Sequence, residues 1–159
     1  MRRIWLRVLL ATAIGVTPGC RPDQPATGSG HLIGRATFDT VGGDVRTSLL
    51  NVADSEEERR LGLMGRASLA ASGGMVFIFP APTSGSFWMK DTLIPLSIAF
   101  WDADGKIVDI LEMQPCETDP CPTYSPRNAY THALEMNAGW FEKNGVEIGD
   151  RVELVIATE

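Results

Sequence analysis

Two stretches of this chain hold most of the side chains that could take part in chemistry. Trp88-Met89-Lys90-Asp91 sets an aromatic ring, a cation and a carboxylate side by side. If that tetrapeptide is extended, Trp88 and Lys90 project to one face and Met89 and Asp91 to the other. An aromatic beside a cation suits a polar, planar or sugar-like ligand. The competing reading is that Trp88 lies in the core with the Lys90 stem laid over it. Glu135 stands in the apolar run Ala133 to Met136, where a carboxylate must be paired. Arg66 can supply a guanidinium fork, either to Glu135 or to the carboxylate of a ligand. Asp91 and Glu135 would serve as acid and base if they met in a cleft. The candidate ligand-binding set is therefore Arg66, Trp88, Lys90, Asp91 and Glu135.

Other chemistries find little support. The chain has no Gly-x-Ser-x-Gly elbow, His-Glu-x-x-His, phosphate loop or Gly-x-Gly-x-x-Gly. A serine triad would have to use His132, a lone histidine in an expected strand that is more simply read as structural. Asp102-Ala103-Asp104-Gly105 fails as a calcium loop, because aligning Gly105 with the invariant glycine puts Phe100 and Leu111 where ligating oxygens are required. It reads instead as a hairpin turn. Cys116 and Cys121 form an even pair once Cys20 is set aside, and in an oxidising compartment they are expected to be joined as a disulfide. Zinc would want four ligands, and only His31 and His132 stand beside those thiols. No metal and no cofactor is expected.

The elements that must position these residues are mostly strands. Arg35 to Asp39 and Val45 to Val52 flank Gly42-Gly43, as two strands joined by a turn. Ser55 with Glu58 fits a capping box and starts a short helix through about Leu63. Met75 to Phe79 is a continuous apolar run, read as a buried strand that Pro80 ends. Further strands are expected at Phe87 to Thr92, Leu96 to Asp102, Ile107 to Met113, Thr131 to Met136 and Arg151 to Ala157. A helical turn or two is expected over Ala138 to Asn144, with Trp140 and Phe141 plugging the core and Trp101 buried at a strand end. The fold class is mainly β (α+β), a compact antiparallel barrel- or sandwich-like sheet with two short helices.

The N-terminus carries an address. Arg2, Arg3 and Arg7 precede the short apolar stretch Val8 to Val16, the pattern of a signal peptide over residues 1–19. Gly19-Cys20 resembles a bacterial lipobox, with Thr17 and Pro18 departing from the usual pattern; plain signal cleavage is the alternative. Residues 20–31, rich in Pro, Gly, Ser and Thr, read as a tether, and residues 32–159 as one globular domain. The formal net charge is −6, and loss of those three arginines leaves −9. A charge of that sign disfavours phosphate backbones, so nucleic acid is excluded as a partner. The expected partners are the membrane, through a lipid on Cys20, and a small polar or sugar-like ligand or an envelope protein.

Four stretches, Arg59 to Arg66, Gly74 to Phe79, Phe87 to Leu96 and Leu134 to Phe141, in this order resemble domain-of-unknown-function family 192 over about Val45 to Val155. The resemblance implies a compact β-rich domain in exported prokaryotic proteins, with no established reaction, cofactor or ligand. Two departures stand out. The family's usual asparagine is Asp91 here, and its usual aspartate after Pro-Leu is Ser97, so one carboxylate is gained and another lost. The expected role is a non-enzymatic ligand- or partner-binding module at the cell envelope. The alternatives are a structural or accessory lipoprotein and an envelope enzyme acting on a sugar or peptide. Replacing Cys20 with serine is expected to abolish lipid attachment, read by membrane fractionation and by the mass of the mature N-terminus. A wild-type protein cut elsewhere and free of lipid would remove the anchor.

Overall fold

The computed structural model describes residues 32–117 and 119–158. The expected signal segment, Cys20 and the tether lie outside these. Ten strands and two helices follow in the order β1 (Leu32–Thr40), β2 (Gly43–Arg46), β3 (Leu50–Ala53), α1 (Glu56–Leu61), β4 (Gly74–Thr83), β5 (Phe87–Trp88), β6 (Leu96–Trp101), β7 (Ile107–Met113), β8 (Thr123–Tyr124), β9 (Tyr130–Asn137), α2 (Trp140–Lys143) and β10 (Arg151–Thr158). No helix among them is long and apolar enough to cross a membrane.

The main sheet runs β10-β1-β3-β4-β9-β6-β7, with β2 folded back on β1. It curls into a half-barrel whose outer strands meet at one end. There Ile107 N–H donates to the Asp150 carbonyl at 2.9 Å and Val152 N–H to the Gly105 carbonyl at 2.8 Å. Its pairs are antiparallel except β3 and β4, which run parallel with α1 as the crossover, so the sheet is mixed rather than wholly antiparallel. The capping box forms as expected, Glu58 N–H donating to Ser55 Oγ and the Glu58 carboxylate accepting from Ser55 N–H. The Asp104-Gly105 turn forms too, with Asp102 Oδ1 accepting from the N–H groups of Asp104 and Lys106. Pro80 does not end β4, which continues to Thr83. The register with β9 breaks instead between Ile78 and Thr83, as suits a residue with no N–H to give a ladder.

Each face of the sheet is apolar. Phe38, Val76, Trp101, Leu134 and Met136 pack inside the curl, where Trp140 and Phe141 of α2 close it; Phe38 lies 5.8 Å from the Trp140 ring and 6.0 Å from that of Phe141. On the other face Phe77, Ile98, Phe100, Ala133 and Tyr130 form a second cluster with Leu63, Met89 and Phe87. The covering layer there is the segment after α1 together with the two-stranded ribbon of β5 and β8. That ribbon is held by Tyr130 Oη donating to the Gly85 carbonyl, the Ser86–Ser125 hydroxyl pair and Gln114 N–H donating to Tyr124 Oη. A Cys116–Cys121 disulfide closes the loop leading into β8. β9 therefore lies between β4 and β6 with both of its faces covered.

Candidate functional site

β5 is only two residues long, so the tetrapeptide 88–91 is a strand end followed by a turn. Thr92 N–H donates to the Met89 carbonyl and Asp91 sits at φ 54°, in the left-handed region that asparagine and aspartate tolerate best among residues with a side chain. The strict alternation expected from an extended chain is lost, and this corrects the face assignment. Met89 is fully buried, while Trp88, Lys90 and Asp91 all line one open groove of about 460 Å³. Trp88 is 46% exposed, which places it outside the core, and the Lys90 ammonium stands 5.5 Å over its ring. The opposite wall is the disulfide loop, through Cys116, Glu117, Asp119, Pro120 and Cys121.

A second, smaller cavity of about 30 Å³ lies against Trp88 and is lined also by Arg59, Arg60, Phe77, Phe87, Thr92 and Glu135. Glu135 is opposite Met75 on β4 and Ile98 on β6, so it occupies the middle of the apolar outer face. It is 4% exposed, and its carboxyl accepts or donates no hydrogen bond among the described residues. Desolvation alone pushes it up to about 8, and at neutral pH it holds a proton. Gly74 lies close by, where a Cβ would run into the Glu135 carbonyl oxygen. Only glycine lets β4 approach β9 there.

The expected Arg66–Glu135 pair does not form. Arg66 is exposed, lines neither hollow, and makes no ion pair among the described residues, because Gly65, whose N–H donates to the Asp91 carbonyl at φ 72°, turns the chain away. The arginines at the cavity come from α1 instead. Arg59 Nη1 donates to the carbonyls of Asp54 and Ile78, the latter at 2.8 Å, and its guanidinium lies over Phe79. Arg60 is exposed at the cavity and carries no ion pair among the described residues. These two, the aromatic pair Phe77 and Phe87, and the acids Glu117 and Asp119 were not singled out from sequence. The one signal that could have found the arginines was their position in the last turn of a helix with an unmistakable cap.

Ser97 and His132 lie elsewhere. Ser97 points to the inner face, where its hydroxyl donates to Glu112 Oε1 at 2.5 Å and accepts from Gly139 N–H at 2.7 Å; Glu112 Oε2 lies 3.3 Å from the same N–H. A carboxylate missing at 97 thus arrives from the neighbouring strand and holds the start of α2. The His132 ring stacks on Trp101 at 5.3 Å, its Nδ1 pairs with Thr131 Oγ1, and burial lowers its proton affinity. No carboxylate orients it among the described residues, so a triad is not assembled. No cluster of metal-ligating side chains is present there either.

The buried carboxyl has a measurable consequence. An unfolded glutamate ionises near 4.5, whereas Glu135 keeps its proton to about 8, so between those values the native state binds more protons and stability falls as pH rises. Glu135→Gln cannot ionise. Its unfolding free energy should gain on wild type by on the order of 1 kcal/mol per pH unit across that window, as read by urea unfolding at stepped pH. Parallel curves would mean that Glu135 ionises like an ordinary glutamate.

Solved structures close in shape include the following two. A Sinorhizobium meliloti protein, provisionally described as a transcription regulator, is 30% identical with a TM-score of 0.71, over 80% of this chain and 97% of its own. A protein of unknown function from Novosphingobium aromaticivorans is 27% identical with a TM-score of 0.71, over 86% of this chain and 94% of its own. Among curated proteins no match was found. The sequence profile of the DUF192 family, described as an uncharacterized ACR, matches residues 37–154. This chain, with its half-barrel and its paired hollows on either side of Trp88, belongs to the DUF192 family.

Proposed function

We propose that the domain is a binding module for a small polar ligand, seated at the hollows that share Trp88 and held at the cell envelope by a lipid on Cys20. One observation carries the binding reading. Glu135 is an almost completely buried residue whose carboxyl makes no hydrogen bond among the described residues, and it borders a cavity. No enclosed side-chain polar atom among the described residues lacks a partner, so the Glu135 carboxyl opens onto that hollow, where a ligand group would supply the hydrogen bond that water otherwise gives. The groove beyond Trp88 falls within the roughly 300–1,000 Å³ of small-molecule sites. Lys90 over the indole adds a cation to its aromatic wall.

Binding is favoured over catalysis by a pair of carboxylates. Asp91 borders the groove and not the cavity, and Glu135 the cavity and not the groove. The regulator description of the Sinorhizobium protein is not carried over, since a formal net charge of −6 leaves little electrostatic attraction for DNA. The Cys116–Cys121 disulfide is compatible with an exported protein.

Two substitutions test the site. Lys90 is exposed and makes no ion pair among the described residues, so Lys90→Ala should stay within about 0.5 kcal/mol of wild-type stability. Trp88, half exposed, should cost less on conversion to alanine than the roughly 3–5 kcal/mol of a core ring. Titration calorimetry against envelope sugars, peptides and small carboxylates, with thermal unfolding in parallel, should show both variants folded and weakened in binding. A ligand held equally well by wild type and both variants would move the site away from Trp88.

A further inference from the structure

The lining of the cavity narrows the class of ligand. We infer that the site takes a small organic monocarboxylate, its carboxylate entering the cavity between Arg60 and Glu135 and its body lying along Trp88; this rests on the binding reading above. Size comes first. A cavity of about 30 Å³ holds roughly two waters, the space that the two oxygens of one carboxylate would fill.

Charge decides between the groups of that size. Arg59 is already engaged by two carbonyls and a ring. Among the described residues Arg60 makes no ion pair, so its guanidinium fork, a shape matched to a carboxylate, is available. Although both arginines line the cavity, burial alone accounts for the raised proton affinity of Glu135. Neither cation touches it, and the space between them is where a ligand group fits. A ligand ammonium would have to ionise a buried carboxyl while facing Arg59 and Arg60. A hydroxyl or amide could accept from Arg60 only as a neutral group, without the charge and two-pronged match that a carboxylate offers. A carboxylate accepts from both, taking the fork of Arg60 and a charge-assisted bond from the Glu135 O–H. The acids Asp91, Glu117 and Asp119 around the groove disfavour a second carboxylate at the other end, hence a monoacid.

Such binding is linked to the Glu135 proton. The charged groups bordering the cavity with it are Arg59 and Arg60 from α1, neither of which titrates below strong alkali. The neighbours from β4, β5 and β6 are Met75, Phe77, Phe87, Trp88 and Ile98. Lys90 and Asp91 border only the groove, and His132 stacks on Trp101 on the inner face. Loss of binding around pH 8 would thus report Glu135.

The test titrates the full-length protein with benzoate, benzamide and benzylamine, three probes of one shape and different charge, by calorimetry at about pH 6 and about pH 9.5. Benzoate should bind best at the lower pH and weaken at least about tenfold at the higher, since each pH unit above a pKa of about 8 removes a factor of ten. Arg60→Ala, at an exposed position, should lose at least about tenfold for benzoate with its thermal unfolding unchanged. Glu135→Gln should keep a donor and flatten the pH profile; if it does not fold, the wild-type pH series and Arg60→Ala still decide. Benzamide or benzylamine binding more tightly than benzoate at about pH 6 would overturn the carboxylate inference and leave the binding reading standing. Benzoate binding equally to wild type and Arg60→Ala would overturn it too. If none of the three binds, the inference fails, and if the sugars and peptides also fail, the binding reading falls with it.

Discussion

A strand covered on both faces leaves a carboxyl group little access to water, and Glu135 occupies the middle of such a strand, beside the small hollow next to α1. β9 is flanked by β4 and β6 and covered on one side by the contents of the curl and on the other by the β5–β8 ribbon. An ionised group there would cost several kcal/mol unless paired, so the group keeps its proton. The neighbourhood follows from that constraint. Gly74 lets β4 close on β9, Phe77 and Phe87 pack at 5.0 Å from one another, and Trp88 borders both the small hollow beside α1 and the larger groove.

The covering layer that creates the cavity is thin. β5 and β8 are two residues each, and such a ribbon is not stable alone. It is fixed by side-chain bonds to the sheet and its loops, by Met89 sunk into the outer cluster, and by the disulfide that shapes the loop before β8. The groove wall and the cavity roof are therefore one structure, and what moves Trp88 alters both hollows. The inner face is closed by Trp140 and Phe141 of α2. Its carboxylate, Glu112, is consumed with Ser97 in holding the Gly139 N–H at the start of α2, which explains how the fold does without an acid at position 97.

Local chemistry was readable wherever a short motif determines its own geometry. The Ser55–Glu58 box, the Asp104-Gly105 turn, the Cys116–Cys121 pair, the apolar run Met75 to Phe79 and the core placement of Trp101, Trp140 and Phe141 all appear in the structure as read. What was not readable depends on contacts distant in sequence. The parallel pairing of β3 with β4 leaves no mark in either strand. Asp91 at φ 54° breaks what looks like a strand, because aspartate is at home in both conformations. Glu135 was recognisable as a buried carboxylate in need of a partner, but of the two roles open to Arg66 the pair with Glu135 does not form. Which arginine reaches it depends on how α1 sits on the sheet, and α1 brings Arg59 and Arg60 to the cavity instead. Two-residue strands such as β8 fall below any periodicity.

Burial among apolar side chains, with no hydrogen-bond partner among the described residues, keeps Glu135 a neutral carboxyl at physiological pH. A carbon-detected magnetic-resonance titration of the glutamate side-chain carboxyls, with Glu135 assigned by its absence from the glutamine variant, measures this directly. One carboxyl resonance should stay protonated past neutrality and titrate with a midpoint of about 8. A midpoint near 4.5 for Glu135 would contradict it.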